Sequence, residues 1–243
     1  MVTNAQRGKV LVIDWKQVDY YRFFAYAFGP PSEERHLWFS QPSVADALAE
    51  LWEQLSPAAK FPGFSWFPDF ESYEAAYIAL FDVGAPEPPV PLCESAHVRS
   101  HTPQELVLEV THFYEVLGLR VNPSLTVPDH LVTQLEFLSA VTYVRDHASD
   151  EPQQQAMTRL EHDFLQRHML NWIGTAEEKL QSCPFVAFRV LFALMALELR
   201  RRHQPSTAHR KHMGATVRQR DTSRITGTAT TTGMGTTSAG SDK

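Results

Sequence analysis

Between Val18 and Arg202 the apolar residues recur every three or four positions, and no run alternates apolar with polar residues for long enough to make a strand. That rhythm is the 3.6-residue turn of an amphipathic helix. Val10–Ile13 is the one strand-like run, too short and isolated to build a sheet. No internal repeat is present. The chain is therefore expected to be all-α.

Punctuation divides the pattern into elements. Val18–Phe28 packs Tyr20, Tyr21, Phe23, Phe24, Tyr26 and Phe28 into one short helix, stopped by Gly29-Pro30-Pro31. Ser43 reads as the cap of a helix through Leu48, Leu51, Trp52 and Leu55. Asp69 caps another through Tyr73, Tyr77, Leu80 and Phe81. Gly84–Leu92 carries prolines that lack amide donors, so it reads as an extended crossing between two helical halves. Thr102-Pro103-Gln104-Glu105 is a capping box with proline at the first helical position, and that helix ends at Gly118. Helices are then expected from Thr126 to about His147, from Met157 to Trp172 with a stop at Gly174, over a short segment recapped by Thr175, and from Pro184 to Arg202. Residues 1–203 make one helical domain. Residues 204–243 are rich in Thr, Gly and Ser, with almost no large apolar groups to offset ordering entropy, and read as a disordered tail.

Charge narrows the partners. The net charge of the 243 residues is −6. Residues 203–243 hold six basic and two acidic residues, which leaves −10 on residues 1–202. Nucleic acid requires clustered Lys and Arg, so an acidic body excludes it and favours a basic partner. The two cysteines, Cys93 and Cys183, form no zinc spacing and no disulfide framework. Met1–Gly8 lacks the apolar core of a secretory signal. Pro184–Leu199, the most apolar run, is broken by Arg189 and Glu198 and reads as a core helix, not a membrane span. A cytoplasmic location is expected.

No phosphate loop, dinucleotide motif, serine-hydrolase elbow or HExxH zinc motif is present. His97 and His101 are four apart, but without a third ligand they read as surface residues before the Thr102 cap. His203, His209 and His212 lie in or beside the tail. No pair of carboxylates stands out for acid–base work, so no catalytic or metal-binding residue is assigned. A helix starting near Thr126 would put Asp129 and Glu136, seven residues apart, on one face, with Leu131, Leu135 and Leu138 toward the core. Acid and imidazole beside an apolar seam suit a partner with a positive end and an apolar body. Thr126-x-x-Asp129 is also a capping box, favoured by the helix dipole. Asp129 thus has two readings, cap and contact.

Pro128-Asp129-His130 followed by Gln134-Leu135-Glu136-Phe137-Leu138 resembles the signature of the TorD/DmsD/NarJ family, dedicated chaperones for molybdenum enzymes of the DMSO-reductase superfamily. The family pattern is roughly E-P-x-D-H-x-x-x-E-L-E-F-L. Thr126, Val127 and Gln134 replace its leading Glu, its Pro and the first Glu of E-L-E. Phe164-Leu165-Gln166-Arg167-His168-Met169-Leu170-Asn171-Trp172 resembles the family's F-L-x-x-H-L-x-x-W helix, with Phe164 and Trp172 as core. Leu80–Gly84 with Pro88–Leu92 is similar to the branch serving type II enzymes: ethylbenzene and dimethylsulfide dehydrogenases, selenate and chlorate reductases. Tyr114–Leu119 fits the family's Y-x-x-x-G-L step.

The resemblance implies a single all-α domain of the TorD-like type, and a chaperone rather than an enzyme. It implies binding to the immature catalytic subunit of a type II molybdoenzyme and to its twin-arginine signal peptide. Premature export would be held back, and insertion of the molybdenum cofactor, bis-molybdopterin guanine dinucleotide, would be assisted in the client without being retained here. Pro128, Asp129, His130, Glu136 and His168 are the expected partner-binding residues. The alternatives from other classes are a small helical metal-dependent hydrolase using His130, His162 or His168, and a generic helical adaptor.

Overall fold

Every amide of an apolar chain segment must find a carbonyl, and here the helices supply them. The computed structural model describes residues 13–15, 17–122 and 127–204. Its helices are α1 (Tyr20–Ala27), α2 (Glu33–Phe39), α3 (Pro42–Leu55), α4 (Phe70–Tyr77), α5 (Pro103–Val116), α6 (Leu131–Asp146), α7 (Glu151–Phe164), α8 (Leu170–Gln181) and α9 (Val186–His203). Two wider π-helical turns follow α4 (Ile78–Asp82) and join α7 to α8 (Leu165–Met169). A 3-10 turn spans Glu94–Ala96. Among the described residues there is no strand beyond one isolated bridge, and no helix is long and apolar enough to cross a membrane.

The caps explain the boundaries. Asp19, Ser32, Asp69 and Asp150 each accept a backbone N–H in the first turn of α1, α2, α4 and α7. Thr102 and Glu105 complete the expected capping box on α5. Gly118 follows α5 at φ +69°, a conformation that favours glycine. Gly84 turns the chain so tightly that a Cβ there would lie 2.1 Å from the Glu87 carbonyl oxygen.

Some boundaries differ from the sequence reading. Pro42, not Ser43, opens α3, with Gln41 at the cap. Helix α2 was not anticipated; it is seven residues long, below the length at which periodicity is legible. Gly174 lies inside α8 instead of ending a helix. The burial of Trp172, Ile173, Ala176 and Leu180 around it outweighs the ~1 kcal/mol that glycine costs a helix interior. The helices end at His203; the tail expected from 204 lies, from 205 onward, outside the described residues.

Helix α9 runs through the core, with Phe188, Leu191, Phe192, Leu194 and Met195 buried. Helix α6 packs against α1 and α7, and α8 against α9. The Pro86–Leu92 crossing is helix-free, as its prolines demand. Val90 donates to the Leu80 carbonyl at 3.0 Å, while Val90 and Leu92 are buried. A polar knot ties four of the helices. Glu161 of α7 accepts the Tyr21 hydroxyl at 2.7 Å, Arg145 at 2.5 Å and Arg202 at 3.4 Å. Glu198, buried in α9, pairs with Arg201 and Arg202. Four helices, α1, α6, α7 and α9, therefore share one ionic network. Glu161→Ala would leave two guanidinium groups short of a buried partner. The expected loss is about 3–5 kcal/mol, read as a lower urea midpoint at unchanged m-value.

Candidate functional site

The motif around Asp129 is not the first turn of a helix. Thr126 lies outside the described residues, Val127–His130 are non-helical, and α6 begins at Leu131. The expected common helix face for Asp129 and Glu136 is therefore corrected. His130, not Thr126, is the N-cap residue of α6. Its Nδ1 accepts the Val132 N–H at 3.2 Å.

This stretch lies antiparallel against the end of the proline-rich crossing. Cys93 pairs with His130. The Glu94 N–H donates to the Asp129 carbonyl at 3.0 Å, and the Leu131 N–H to the Leu92 carbonyl at 2.7 Å. Asp129 is 1% exposed, and its Oδ2 accepts the Ser95 N–H at 2.9 Å. It caps the 3-10 turn Glu94–Ala96, an element distant in sequence. The Tyr114 hydroxyl donates to the Pro128 carbonyl at 2.7 Å, and Thr133 to the Val127 carbonyl at 3.0 Å. Burial, then the Asp129 charge, raises Cys93 to about 12. The same two causes raise the Tyr114 phenol.

Beneath the bridge lies a residue that sequence reasoning missed. Glu94 has no solvent exposure. Its Oε2 accepts the Gln134 amide at 2.5 Å, and its Oε1 faces His168 Nδ1 at 3.2 Å. Gln134, a departure from the family pattern, is thus the donor a buried carboxylate requires; a carboxylate at 134 would face another. His168 is also buried, with its ring edge-on to Phe113 at 5.2 Å. Only the charge of Glu94 was legible; its fold partners lie 40 and 74 residues away.

The expected site residues therefore separate by exposure. Asp129 and His168 are buried, Pro128 and His130 half-buried, and Glu136 exposed. Glu136 lines a cleft of about 420 Å³ between the end of α5 and the outer face of α6. Its neighbours there include Tyr114, Leu119, Arg120, Val121, Thr133 and Phe137. The cleft joins an acid and a base, Glu136 and Arg120, to apolar side chains, and two of its walls, Tyr114 and Thr133, are the side chains tied to the Val127–Pro128 backbone. Among the described residues no group of three or more His, Cys, Asp or Glu converges as a metal site. His162 stacks on His203 at 4.2 Å.

Comparison with known proteins fits this arrangement. Residues 41–177, more than half of the chain, match the family described as nitrate reductase delta subunit. The chain belongs to that family. It is the family of the Asp129-His130 resemblance, and the relatives point to the expected type II branch. The chain is 29% identical over 167 residues to a perchlorate reductase assembly chaperone protein of Dechloromonas aromatica (strain RCB), spanning 63% of this chain and 72% of that one. It is 31% identical over 118 residues to a chlorate reductase assembly chaperone protein of Ideonella dechloratans. It is 30% identical over 115 residues to a selenate reductase assembly chaperone protein of Thauera selenatis. Each of the latter two matches spans 46% of this chain and 59% of the relative. The relatives are named as chaperones, and this family member is a chaperone of that kind, not an enzyme.

The half-buried His130 offers a pH test. Burial pushes its pKa below the ordinary 6.5, against the opposing pull of Asp129 and Asp82. The unfolded ring then binds protons more readily than the folded one. Stability from a neutral His130 is full above about pH 6.5 and is lost as pH falls toward the folded pKa. Protonation also removes the lone pair that caps α6. His130→Asn keeps a capping acceptor without the titration. The fall in Tm between pH 7 and 5.5 should be smaller in His130→Asn than in the wild type. His97, also lowered by burial, keeps part of the fall in both.

Proposed function

We propose that this protein is a cytoplasmic assembly chaperone for the catalytic subunit of a type II molybdoenzyme of the DMSO-reductase superfamily. It binds the immature subunit, reads its twin-arginine signal peptide, holds back premature export and assists insertion of the molybdenum cofactor into the client. The cofactor belongs to the client, and no residue of this chain is assigned to it. The observation that carries the reading is the cleft between α5 and α6. An exposed carboxylate, Glu136, stands beside Leu119, Val121 and Phe137, with the Arg120 side chain also lining the cleft and competing for that carboxylate until a partner arrives. A twin-arginine signal has the complementary form, basic first and apolar after. A carboxylate pairs with a guanidinium fork, and a groove accepts an apolar helix. The acidic body adds long-range attraction.

Within this reading the motif residues divide their work. Pro128, Asp129, His130 and His168 position the cleft, through Tyr114, Thr133 and the Cys93–His130 bridge. Glu136 meets the partner. The names of the similar proteins support the class of client, since they assemble perchlorate, chlorate and selenate reductases.

The test is co-purification of the catalytic subunit with the tagged full-length chain in the native host, followed by titration of that subunit's N-terminal peptide. Glu136→Gln should weaken the peptide by about tenfold, with loss at higher salt and no change in Tm. Asp129→Ala should lower the stability by about 1–3 kcal/mol, because it leaves the Ser95 N–H without its acceptor. Failure of any molybdoenzyme subunit to co-purify would sink the reading. Unchanged peptide affinity in Glu136→Gln would remove the cleft from it.

A further inference from the structure

A helix at a protein surface ordinarily turns charged residues to water. Helix α6 does not do so along its middle. From Phe137 to Val144 it runs through eight residues without a charge. Phe137, Leu138, Val141 and Thr142 are buried. The rest of the strip is open: Ser139, Ala140 and Val144 are half-buried, and Tyr143 is 64% exposed. The hydroxyls of Ser139 and Thr142 are already spent. Ser139 donates to Asp19, and Thr142 to the Ser139 carbonyl at 2.9 Å.

At about 100° per residue, Glu136, Ala140, Tyr143 and His147 fall within roughly 60° of arc, so they form one stripe. Each end of that stripe opens into a cleft. Glu136 and Ala140 line the cleft beside α5. Tyr143 and His147 line a second one, of about 300 Å³, between the start of α1 and the end of α6. Its walls are polar and include Gln17, Asp19, Arg145 and Asp146. Ala140 and Tyr143, three apart, are neighbours on the helix surface and join the two. The Tyr143 ring is propped by the next turn of its own helix. His147 Nδ1 donates to the Tyr143 carbonyl at 2.9 Å, and the two rings stack with centroids 4.1 Å apart. Neither ring belongs to the buried core.

We propose that this stripe joins the two clefts into one groove, and that the client's leader segment lies along it. The basic end sits at Glu136, the apolar run crosses Ala140 and packs on the Tyr143 ring, and the polar residues that follow enter the second cleft. The surface offers acid, apolar strip and polar cleft in that order, and the segment carries their complements in the same order. The lengths agree. Thr133 to His147 spans about 21 Å at 1.5 Å per residue, and a helical apolar run of about 7–15 residues covers about 10–22 Å. Tyr143 thereby selects for a long apolar run, because a short one ends before the ring. The inference rests on the signal-peptide reading and extends it to a second cleft and a new contact residue.

Titration of two labelled synthetic peptides against the full-length chain, read by fluorescence anisotropy, tests it. Both begin with two adjacent arginines and end in polar residues. Their apolar runs are about four and about twelve residues long. The wild type should bind the long peptide at least about tenfold more tightly. Tyr143→Ser should weaken the long peptide by about five- to tenfold, with the short peptide and the Tm unchanged. Tyr143→Phe should keep the wild-type affinities, since it keeps the ring. Equal effects of Tyr143→Ser on both peptides, no effect on either, or a Tyr143→Phe protein as weak as Tyr143→Ser overturns the groove. If Glu136→Gln weakens both peptides while Tyr143→Ser weakens neither, the first cleft stands and the groove falls. If neither peptide binds the wild type, the signal-peptide reading falls and takes the groove with it.

Discussion

A carboxylate without solvent exposure sits where three distant stretches of the chain meet. Glu94 comes from the end of the proline-rich crossing, Gln134 from the first turn of α6, and His168 from the π-turn between α7 and α8. Taking a carboxylate out of water costs several kcal/mol unless its lone pairs are answered. Both answers here come from other segments, so the penalty is offset only when all three are in register. The backbone bridge of Cys93 with His130 and the Asp129 cap on Ser95 hold that register from above. An apolar contact would tolerate a slip of the crossing along α6; a buried charge with two defined donors does not.

A second buried cluster uses the same device with different residues. Glu161 and Glu198 gather Arg145, Arg201, Arg202 and Tyr21, tying α1 to α6, α7 and α9. Arg202 also lies over the Tyr20 and Tyr21 rings, at 5.4 and 4.7 Å. Around the first knot the contacts are aromatic. Tyr114, Phe137, Phe164 and Phe113 form a chain of rings 4.7–5.3 Å apart. The first knot thus reaches α5, α6 and the π-turn through one packed cluster. Those are the elements that carry Glu136, Glu109 and Arg167, so the positions of these charges follow from buried geometry.

How much of this the sequence carried depended on range. Local signals were legible. The Thr102 box, the Asp69 cap, the proline-rich crossing and the apolar stripe of α9 all appear as read, because each is decided within a few residues. Short-range signals also misled. Thr126-x-x-Asp129 has the spacing of a capping box, yet Asp129 caps a turn 34 residues earlier. Gly174 has the look of a helix stop, yet buried neighbours carry α8 through it. Glu94 was unremarked because a lone glutamate beside a proline run carries no mark of burial. Its partners are fixed only by the fold. Gln134, noted solely as a departure from the family pattern, acquires a physical reason once Glu94 is opposite it.

The family motif is therefore mostly architecture. Asp129 spends its acceptor on Ser95, His130 spends Nδ1 on the α6 cap, and Pro128 lends its carbonyl to Tyr114. None of these atoms is free to meet a partner without first giving up a bond that holds the junction. Glu136 has no such duty to the core. Glu136 is exposed. A chaperone must bind its client firmly enough to delay it and loosely enough to release it. The contact proposed for Glu136, an exposed carboxylate on an internally satisfied scaffold, would meet both demands. It would be strengthened by the apolar side chains beside it, and it could be surrendered without opening the core.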